Sequence, residues 1–295
     1  MNAENLNTTC CCIILNYKDA DTTEKLINCI KSYGVFDKII AVDNASPDDS
    51  YERLSALRSD KIIVVETDKN GGYGYGNNYG VKIAKEQFNA DYALIVNPDV
   101  VFEEQAISAL KTILDENDDC VVCACTQKNP EGLVNDRGWA IPPVYHYVLS
   151  SLKIISKFLP SPSYTESYFK DKHTADVDCI VGSLLMVNID KFLELGGYDE
   201  GIFLYCEETT LGTKVRSHGY RSILDVDHSY IHYHSVSIDK SISSVLDQRK
   251  ILYRSRLFYL KNYRGVKGLR LLISKAIFNT ALFEERMKLI IKGSH

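Results

Sequence analysis

The most constraining feature of this sequence is a short apolar run that stops abruptly at a proline. Residues 92–96, Tyr-Ala-Leu-Ile-Val, have the length and composition of a buried strand in a parallel sheet. Pro98 has no N–H to give to a sheet and disfavours helical geometry at Asn97, so the strand must end there. Asp99 is therefore expected at the carboxyl edge of the sheet, where open α/β folds bind their ligands. An aspartate after a strand also commonly caps a helix, and this stretch alone does not exclude that simpler role.

Strand-like and helix-like segments alternate through the first hundred residues. Helices are predicted from about Asp21, over about 50–58, and to about Phe88 after a glycine-rich loop. This spacing is typical of βαβ units and a parallel sheet, in which right-handed crossovers bring the carboxyl ends of the strands to one rim. The predicted strands are 10–15, 38–42, 61–65 and 92–96. The polar segments expected together at that rim are 15–17, 43–44, the glycine-rich loop 70–80 and Asp99.

The second half of the chain is less regular. A helix is predicted near 103–114, and an apolar run with three cysteines, 120–125, predicts a strand. Residues 140–175 carry no clear periodicity, and long irregular stretches of this kind commonly form binding loops. Further predicted elements are a strand at 177–187 interrupted by Gly182-Ser183, a helix at 209–217, and short strands at 220–224 and 230–234. From about residue 245 the pattern is helical and basic.

Composition narrows the possible functions. The net charge of −5 gives no overall basic field and argues against a nucleic-acid partner. Cys120, Cys123 and Cys125 lack the second pair that a structural zinc site usually needs, so we interpret them as small core residues in a reducing compartment. The chain opens with no charged-then-apolar leader, and no apolar stretch reaches the length of about 20 residues that spans a bilayer. We therefore expect a cytoplasmic protein.

Five blocks of residues carry a family pattern by their order and spacing. They are 14–17, 42–46, 70–80, 97–100 and 196–208, the last with histidines downstream. Together they resemble family 2 glycosyltransferases of the GT-A fold, in their rhamnosyltransferase-like branch. The resemblance covers about 10–262 and implies an α/β fold with a Rossmann-like, mostly parallel central sheet flanked by helices. It implies a catalytic domain over 1–244, with a donor half at about 10–100 and an acceptor half at about 101–244, and a basic, amphipathic helical extension at 245–295.

The resemblance implies transfer of one sugar from a nucleotide-sugar, UDP- or dTDP-linked as in dTDP-rhamnose, to an acceptor hydroxyl, with inversion. Asp43 would accept the N3–H of the pyrimidine as a charge-assisted hydrogen bond. Asp43 capping the following helix is the structural alternative. The glycine loop would offer backbone N–H groups to phosphate, although a plain surface turn fits it as well. The residues expected to frame the nucleotide are Leu15, Asn16, Tyr17, Asp43, Asn44, Asn70, Asn78 and Asn97.

A divalent cation is the cofactor that this resemblance implies. Departure of a nucleoside diphosphate builds negative charge, which Mg²⁺ or Mn²⁺ can neutralise. Asp99 stands at the metal-binding position of the family, where Asn97 replaces the first aspartate of the stricter Asp-x-Asp pattern. His232 matches the family's His-x-x-x-x-Ser spacing to Ser237 and is a second candidate ligand, with His234 as a substitute. A structural role for a strand histidine is the simpler alternative.

An inverting transfer also needs a general base on the face opposite the leaving group. The resemblance places it in the acidic pair after Phe203, and we predict Glu208 as the base with Glu207 as its supporting neighbour. Two carboxylates in the first turn of a helix also complement the helix dipole, and the local sequence fits that equally well. Arg137 and Trp139 fall in the segment expected on the acceptor side, where an aromatic ring can stack on a sugar.

Two other functions remain open from sequence: a nucleotidyltransferase of related architecture, and a protein that binds sugar nucleotides without catalysis. The acceptor would be a saccharide or a lipid-linked saccharide of bacterial cell-surface polysaccharide synthesis, by analogy. The C-terminal helices suit either peripheral contact with the inner face of the membrane or a helical cap on the catalytic domain. The sequence leaves open whether the protein forms a homodimer.

Overall fold

A mixed β-sheet forms the centre of the computed structural model, which describes residues 8–233 and 244–293. Within those residues the strands are β1 (Cys10–Asn16), β2 (Lys38–Asp43), β3 (Ile62–Glu66), β4 (Tyr92–Val96), β5 (Val100–Val101), β6 (Cys120–Lys128), β7 (Val134–Asp136), β8 (Thr174–Val177), β9 (Leu184–Asn188) and β10 (Arg221–His232). The helices are α1 (Ala20–Ile30), α2 (Ser50–Ser55), α3 (Tyr73–Phe88), α4 (Glu104–Glu116), α5 (Val144–Leu149), α6 (Lys153–Ser156), α7 (Glu166–Phe169), α8 (Ile189–Glu194), α9 (Glu207–Ser217), α10 (Val245–Asn262) and α11 (Gly268–Gly293).

The strand order places a switch point beside the first strand. The sheet runs β3-β2-β1-β4-β9-β6-β10-β5, with β7 on β6 and β8 on β10. β1 to β4 are parallel, whereas β9 is antiparallel to both of its neighbours and β10 is parallel to β6. The chain leaves β1 towards β2 and β3 and returns to its other side as β4, which opens a crevice at the carboxyl ends. The predicted α/β fold is confirmed, with antiparallel pairings added in the second half.

Alternation along the strands divides the core between the two faces of the sheet. In β1, Cys10, Cys12 and Ile14 pack with α1, α2 and α4 on one face. Cys11 and Ile13 pack with α3 and α8 on the other. The prediction that Cys120, Cys123 and Cys125 are core residues is confirmed, since all three are buried free thiols. The three cysteines of β1 are buried free thiols as well, and burial raises the pKa of Cys11 to about 12.

The glycine-rich segment is mostly helix rather than the loop predicted from sequence. α3 begins at Tyr73, so only the residues up to Gly72 form a loop. The glycines bring the helix close to β1: a Cβ at Gly76 would lie 2.2 Å from Leu15 Cδ1, and one at Gly80 would lie 2.5 Å from Ile13 Cγ2. Close helix–sheet packing, and not conformational freedom, explains why these positions are glycine.

The second half differs from prediction in three places. Residues 221–232 form the single strand β10, with an irregularity in its pairing to β6 between Asp225 and Ser229, instead of two strands. The strand predicted at 177–187 is divided into the end of β8 and the start of β9. Residues 140–175 contain the short helices α5, α6 and α7. Each of these three helices has at most six residues, too few to show a helical period in the sequence.

The C-terminal helices pack against α5. Tyr253 and Tyr259 of α10 and Phe278 of α11 are buried in one cluster with Tyr147 and Cys206. The Tyr253 and Phe278 rings stack with centroids 4.9 Å apart. None of the helices in the described ranges combines the length and the apolar run needed to cross a bilayer. The boundary between a catalytic domain ending at 244 and an extension beginning at 245 stays a prediction.

Candidate active site

A cavity of about 800 Å³ opens at the carboxyl ends of β1, β2 and β4. Its walls come from both halves of the chain, so segments far apart in sequence meet there. From the first half come Leu15, Tyr17, Asp19, Asn44, Asn70, Gly72, Tyr73, Asn97 and Pro98. From the second half come Asp136, Trp139, Pro142, His146, Tyr147, Ser150, Val181, Gly182, Ser183, Glu207, Glu208, His232, Leu252 and Arg256, among others.

Asn16 and Asp43 lie beneath the cavity wall and hold the loop after β2. Both side chains are fully buried, and Asn16 Nδ2 donates to Asp43 Oδ1 over 2.6 Å. Asp43 also accepts from the Ser46 backbone N–H at 2.8 Å. It does not cap the next helix, which begins later, at Ser50. Leu15, Tyr17 and Asn44 line the cavity directly, whereas the role of Asp43 toward a base stays a prediction.

Asn44 and Asn70 fix the short loop that remains of the glycine-rich segment. Asn44 Nδ2 donates to Asn70 Oδ1 and to the Gly72 carbonyl, both at 3.1 Å. Gly72 adopts φ of +93°, and a Cβ there would lie 2.1 Å from the Phe203 carbonyl oxygen. Only glycine fits this position, since the left-handed backbone and the close approach both exclude a side chain.

Asn78 is placed differently from the sequence prediction. It lies on α3 and pairs with the backbone of Tyr198, donating to its carbonyl at 2.9 Å and accepting from its N–H at 2.9 Å. Its amide also donates to Glu200 at 3.0 Å. Asn78 is absent from the cavity wall, so its polar atoms join α3 to the segment before α9. The structure therefore does not support the prediction that Asn78 contacts a nucleotide.

Asp99 and His232 form a buried pair. β5 lies antiparallel to β10 with Val100 opposite His232, which brings Asp99 Oδ1 to 3.1 Å from His232 Nε2. The amide nitrogen of Gln127 lies 2.8 Å from His232 Nδ1, while Gln127 Oε1 accepts from Asn135. The hydrogen-bond network thus assigns the proton of a neutral imidazole to Nε2, which donates to Asp99. Sequence reasoning missed Gln127.

The Asp99–His232 pair fits two protein ligands of a divalent cation. A carboxylate oxygen and Nε2 of the imidazole converge, but Nε2 can bind a cation only once its proton has moved to Nδ1 and Gln127 presents Oε1 there as the acceptor. Phosphate and water oxygens would complete the shell of a hard cation. Across the described residues, no group of three or more His, Cys, Asp or Glu side chains is arranged to hold a metal by itself. A cation here would therefore depend on substrate oxygens. His234 and Ser237 lie outside the described residues.

Glu207 and Glu208 begin α9 and also line the cavity. The two preceding residues, Tyr205 and Cys206, both have positive φ, 70° and 74°, which is unfavourable for non-glycine residues. This turn directs the acidic pair into the cavity. Burial, and then the charge of Glu208, raises the pKa of Glu207, whose Oε1 is buried without a hydrogen-bond partner in the described structure.

Glu208 is half-buried and lies against Gly182. Burial raises its pKa as well, and the backbone N–H of Gly182 opposes this shift by stabilising the carboxylate. A Cβ at Gly182 would lie 3.1 Å from Glu208 Oε1. Tyr73 donates to the Gly182 carbonyl at 2.6 Å, and Asn97 N–H donates to the Ser183 carbonyl at 2.9 Å. The 182–183 segment therefore connects the acidic pair with the rim at Asn97.

Only one of the two predicted acceptor-side residues reaches the cavity. Trp139 lines it and is fixed by backbone hydrogen bonds in both directions with Cys179. Arg137 is directed elsewhere: it pairs with Glu166 at 2.6 Å and lies 5.3 Å from the centroid of the Phe169 ring. Because Arg137 is committed to these contacts and absent from the cavity wall, the structure does not support an acceptor contact for it.

The sequence matches the family described as Glycosyl transferase family 2 over residues 11–191, which is more than half of the chain. The chain belongs to this glycosyltransferase family. The match includes β1 to β4, and with them Asp43, Asn44 and Asp99. Glu207, Glu208 and His232 lie beyond its end, so their roles depend on the geometry described above.

Relatives of this glycosyltransferase include a "Low-salt glycan biosynthesis hexosyltransferase Agl10" of Haloferax volcanii, 25% identical over 94% of this chain and 86% of that protein. An "N-acetylglucosaminyl-diphospho-decaprenol L-rhamnosyltransferase" of Mycobacterium tuberculosis is 23% identical over 70% of each chain. Among solved structures, GalNAc-T7 with UDP, GalNAc and Mn²⁺ gives a TM-score of 0.63 at 14% identity, covering 98% of this chain and 58% of that one. A mannosyltransferase of Pyrobaculum calidifontis with GDP-Man and Mn²⁺ gives 0.58 at 14% identity, covering 97% and 79%. The structural likeness shows the glycosyltransferase fold.

The sequence prediction missed the part of this glycosyltransferase cavity that is built by α5 and α10. His146 and Tyr147 come from a six-residue helix, and Leu252 and Arg256 come from the C-terminal region. The basic character of residues 245–270 was visible in the sequence, but its pattern did not indicate which of the basic side chains faces the cavity. Only the packing of α10 on α5 reveals it.

Proposed function

We propose that this glycosyltransferase moves one sugar from a nucleotide-sugar to an acceptor hydroxyl by a single in-line displacement, with inversion at the anomeric carbon. One observation carries the proposal: His232, bonded to Asp99, and the Glu207–Glu208 pair line the same cavity. Leaving-group stabilisation and proton removal must act on opposite faces of one sugar, and the cavity offers a group for each.

Asp99 and His232 would hold the cation at the leaving-group end. When bound there, Mg²⁺ or Mn²⁺ would supply positive charge to a departing nucleoside diphosphate. Both structural neighbours described above contain Mn²⁺, which supports a divalent metal in this chain. Gln127 keeps His232 in one orientation through Nδ1, and this leaves Nε2 directed at Asp99. Leu15, Tyr17, Asn44 and Asn70 would frame the nucleotide.

Glu208 is proposed to take the proton of the acceptor hydroxyl. The acceptor oxygen forms a bond to the anomeric carbon, the bond from that carbon to the phosphate oxygen breaks, and the proton moves to the carboxylate. Glu208 suits this role because it is less buried than Glu207 and receives support from the Gly182 N–H. Its raised pKa makes the carboxylate a stronger proton acceptor than an ordinary surface glutamate.

The acceptor is proposed to be a lipid-linked saccharide, and the donor a UDP- or dTDP-linked sugar such as dTDP-rhamnose. The names of the relatives support this assignment, since one is a rhamnosyltransferase for a sugar carried on a diphospho-decaprenol and another is a glycan-synthesis hexosyltransferase. The product would enter synthesis of a cell-surface glycan.

Incubation with a panel of UDP-, dTDP- and GDP-sugars, Mn²⁺ and a lipid-linked acceptor tests the function. Release of free nucleoside diphosphate together with a glycosylated acceptor is the expected result. Release of pyrophosphate would instead indicate nucleotidyl transfer. Binding of a sugar nucleotide without turnover would indicate a non-catalytic protein. Inverted configuration at the new linkage, read by NMR, tests the single displacement.

We also propose that the C-terminal helix contacts an anionic membrane surface. Exposed apolar side chains on α11 and near α6 are interspersed with lysine and arginine, a composition that suits the membrane interface. Lys153 joins the two regions through an ion pair of 2.9 Å to Glu285. The exposed apolar residues are Ile154, Ile155, Phe158, Leu269, Leu272, Ile273, Phe283, Met287, Leu289, Ile290 and Ile291. Such docking would bring the cavity to a lipid-linked acceptor at the inner face of the membrane.

A further inference from the structure

Arg256 is the one lysine or arginine among the described residues that line the cavity. The same wall residues include the four carboxylates Asp19, Asp136, Glu207 and Glu208. Substrates that carry phosphate groups are anionic, so a cavity with this balance of charge needs positive groups wherever a phosphate lies. Arg256 is such a group, and it belongs to α10, outside the segment that matches the family.

The guanidinium of Arg256 is held in place by α5. Nη1 donates to the Tyr147 carbonyl at 3.2 Å and to Ser151 Oγ at 2.7 Å. Its central carbon lies 5.0 Å from the centroid of the Tyr147 ring, a distance suited to a cation–π contact. These contacts orient the group before any ligand binds, which reduces the entropy lost on binding.

One edge of this guanidinium has no protein partner in the described part of the chain. Nε is buried and makes no hydrogen bond, Nη2 donates none, and no carboxylate lies within ion-pair distance of Arg256. Nη2 is free to donate to an oxygen of a phosphate group, and Nε completes the two-pronged donor once the side chain turns enough to expose it. An arginine held by neutral groups alone, in the wall of a cavity, is arranged to receive an anion.

Arg256 lies at the end of the cavity that carries the acidic pair. Tyr147, on which its guanidinium rests, donates its hydroxyl to Cys206 Sγ at 2.9 Å, and Cys206 directly precedes Glu207. This location is on the α5 wall, which the second half of the chain contributes. The other pair consists of Asp99, which directly precedes β5, and His232, the last residue of β10.

We infer that Arg256 binds a phosphate or diphosphate group of a substrate at the α5 wall, as a second site for phosphate besides the one at Asp99 and His232. The inference rests on the proposed function, because it requires phosphate-bearing substrates. Two sources share this chemistry: the diphosphate of a lipid-linked acceptor and the diphosphate of the nucleotide donor. The position beside the proposed base favours the acceptor.

Isothermal titration tests whether Arg256 binds phosphate groups, and it does so without requiring catalytic turnover. The probes are inorganic pyrophosphate, UDP with Mn²⁺, and farnesyl diphosphate as a short isoprenoid diphosphate. Arg256→Gln is compared with wild type and with Arg254→Gln, which removes an exposed arginine two positions earlier on the same helix. Arg256→Lys keeps the charge but removes the two-pronged donor, and thermal unfolding of each variant confirms that it is folded.

Arg256→Gln is expected to weaken the binding of farnesyl diphosphate and of pyrophosphate about tenfold, the scale of a lost charge-assisted hydrogen bond. Arg256→Lys should recover part of that loss, and Arg254→Gln should stay within about twofold of wild type. If Arg256→Gln lost affinity for UDP alone, the site would be assigned to the donor diphosphate. Unchanged binding of all three probes to Arg256→Gln, or an equal loss in Arg254→Gln, would overturn the inference. A failure of sugar transfer with normal binding would count against the proposed function alone.

Discussion

At the level of single residues, the proposed site contains two kinds of acidic group. Asp99 is hydrogen-bonded to His232, whereas Glu207 and Glu208 lie together at a helix start with raised pKa values. We propose different roles for acids in these two environments, Asp99 as a ligand for charge and Glu208 as a proton acceptor. Replacing each acid alone therefore separates the two roles.

Asp99→Ala and Glu208→Gln are each expected to lower turnover by ~10²-fold or more, the scale of a lost metal contact or general base. Asp99→Ala should also weaken donor binding, because it removes a proposed cation ligand. Glu208→Gln should leave donor binding nearly unchanged. Steady-state kinetics and titration with a nucleoside diphosphate and Mn²⁺ measure the difference. Glu86→Gln, an exposed helix glutamate, is the matched control, and normal turnover in Glu208→Gln would remove the proposed base.

Glu207 also connects pH with stability. Its folded-state pKa is raised above the unfolded value, mainly by burial, so between these two pKa values the folded protein binds more protons. The free energy of unfolding therefore falls as pH rises through that window. Glu207→Gln removes this loss and should raise the melting temperature at alkaline pH, with little change near about pH 5. Melting curves across the pH range test this, and a wild-type-like decline in the variant would contradict it.

Much of the residue-level site followed from local sequence. Pro98 and the apolar run before it placed Asp99 directly after β4, next to Asn97 and Pro98 of the cavity wall. That Asp99 and Glu208 act in one cleft stays a prediction. Asn78 and Arg137 have protein partners and are absent from the cavity wall, because an amide or guanidinium at the expected sequence position can be directed at protein instead of ligand. The direction of such a side chain depends on its tertiary partners, here Tyr198 and Glu166, which a local sequence pattern does not predict.

At the level of elements, the first four strands were predictable and the connections were not. Each of β1 to β4 is a short apolar run followed directly by polar residues, so its bounds could be predicted closely from sequence. The glycine-rich segment was predicted as a loop because glycine has low helix propensity. In the structure, close packing of α3 on β1 offsets the free energy that these glycines cost the helix. The left-handed turn at Tyr205 and Cys206 left no sequence signal, since neither residue favours that geometry.

Gly80→Ala tests the packing of α3 on the sheet. The added methyl carbon would lie 2.5 Å from Ile13 and 3.0 Å from Val42, so the strand or the helix must shift. Overpacking of this kind costs about 1–3 kcal/mol, despite the better helix propensity of alanine. Urea unfolding measures the change, with Gln87→Ala at an exposed position of the same helix as the control. Stabilisation by Gly80→Ala would show that the contact is not tight.

At the level of the whole molecule, α11 leads from the packed core to an exposed end. Residues 286–291 are all exposed, whereas Phe278 and Ala281 are buried against α10 and α5. A chain that ends after Glu285 therefore keeps this core and loses part of the proposed membrane surface. The two parts of the helix can be tested separately.

The full chain should co-sediment with vesicles containing anionic lipid and less with zwitterionic vesicles, because the exposed face combines apolar and basic side chains. The chain ending after Glu285 should lose much of this binding while its melting temperature stays close to wild type. Equal recovery of both chains with anionic vesicles would exclude membrane docking through this end. Self-association in sedimentation velocity, lost on truncation, would identify the surface as a homodimer contact instead.

Cys206 links two parts of the enzyme that the chain order keeps apart. It belongs to the same buried cluster as Tyr253 and Phe278, and its backbone forms the turn that carries the acidic pair. A change in the packing of α10 and α11 is therefore expected to shift the turn that carries Glu207 and the proposed base, Glu208. Since these helices share a buried cluster with the turn at Cys206, we expect substitutions that adapt their exposed face to a different partner to leave the cavity intact only where they spare this cluster.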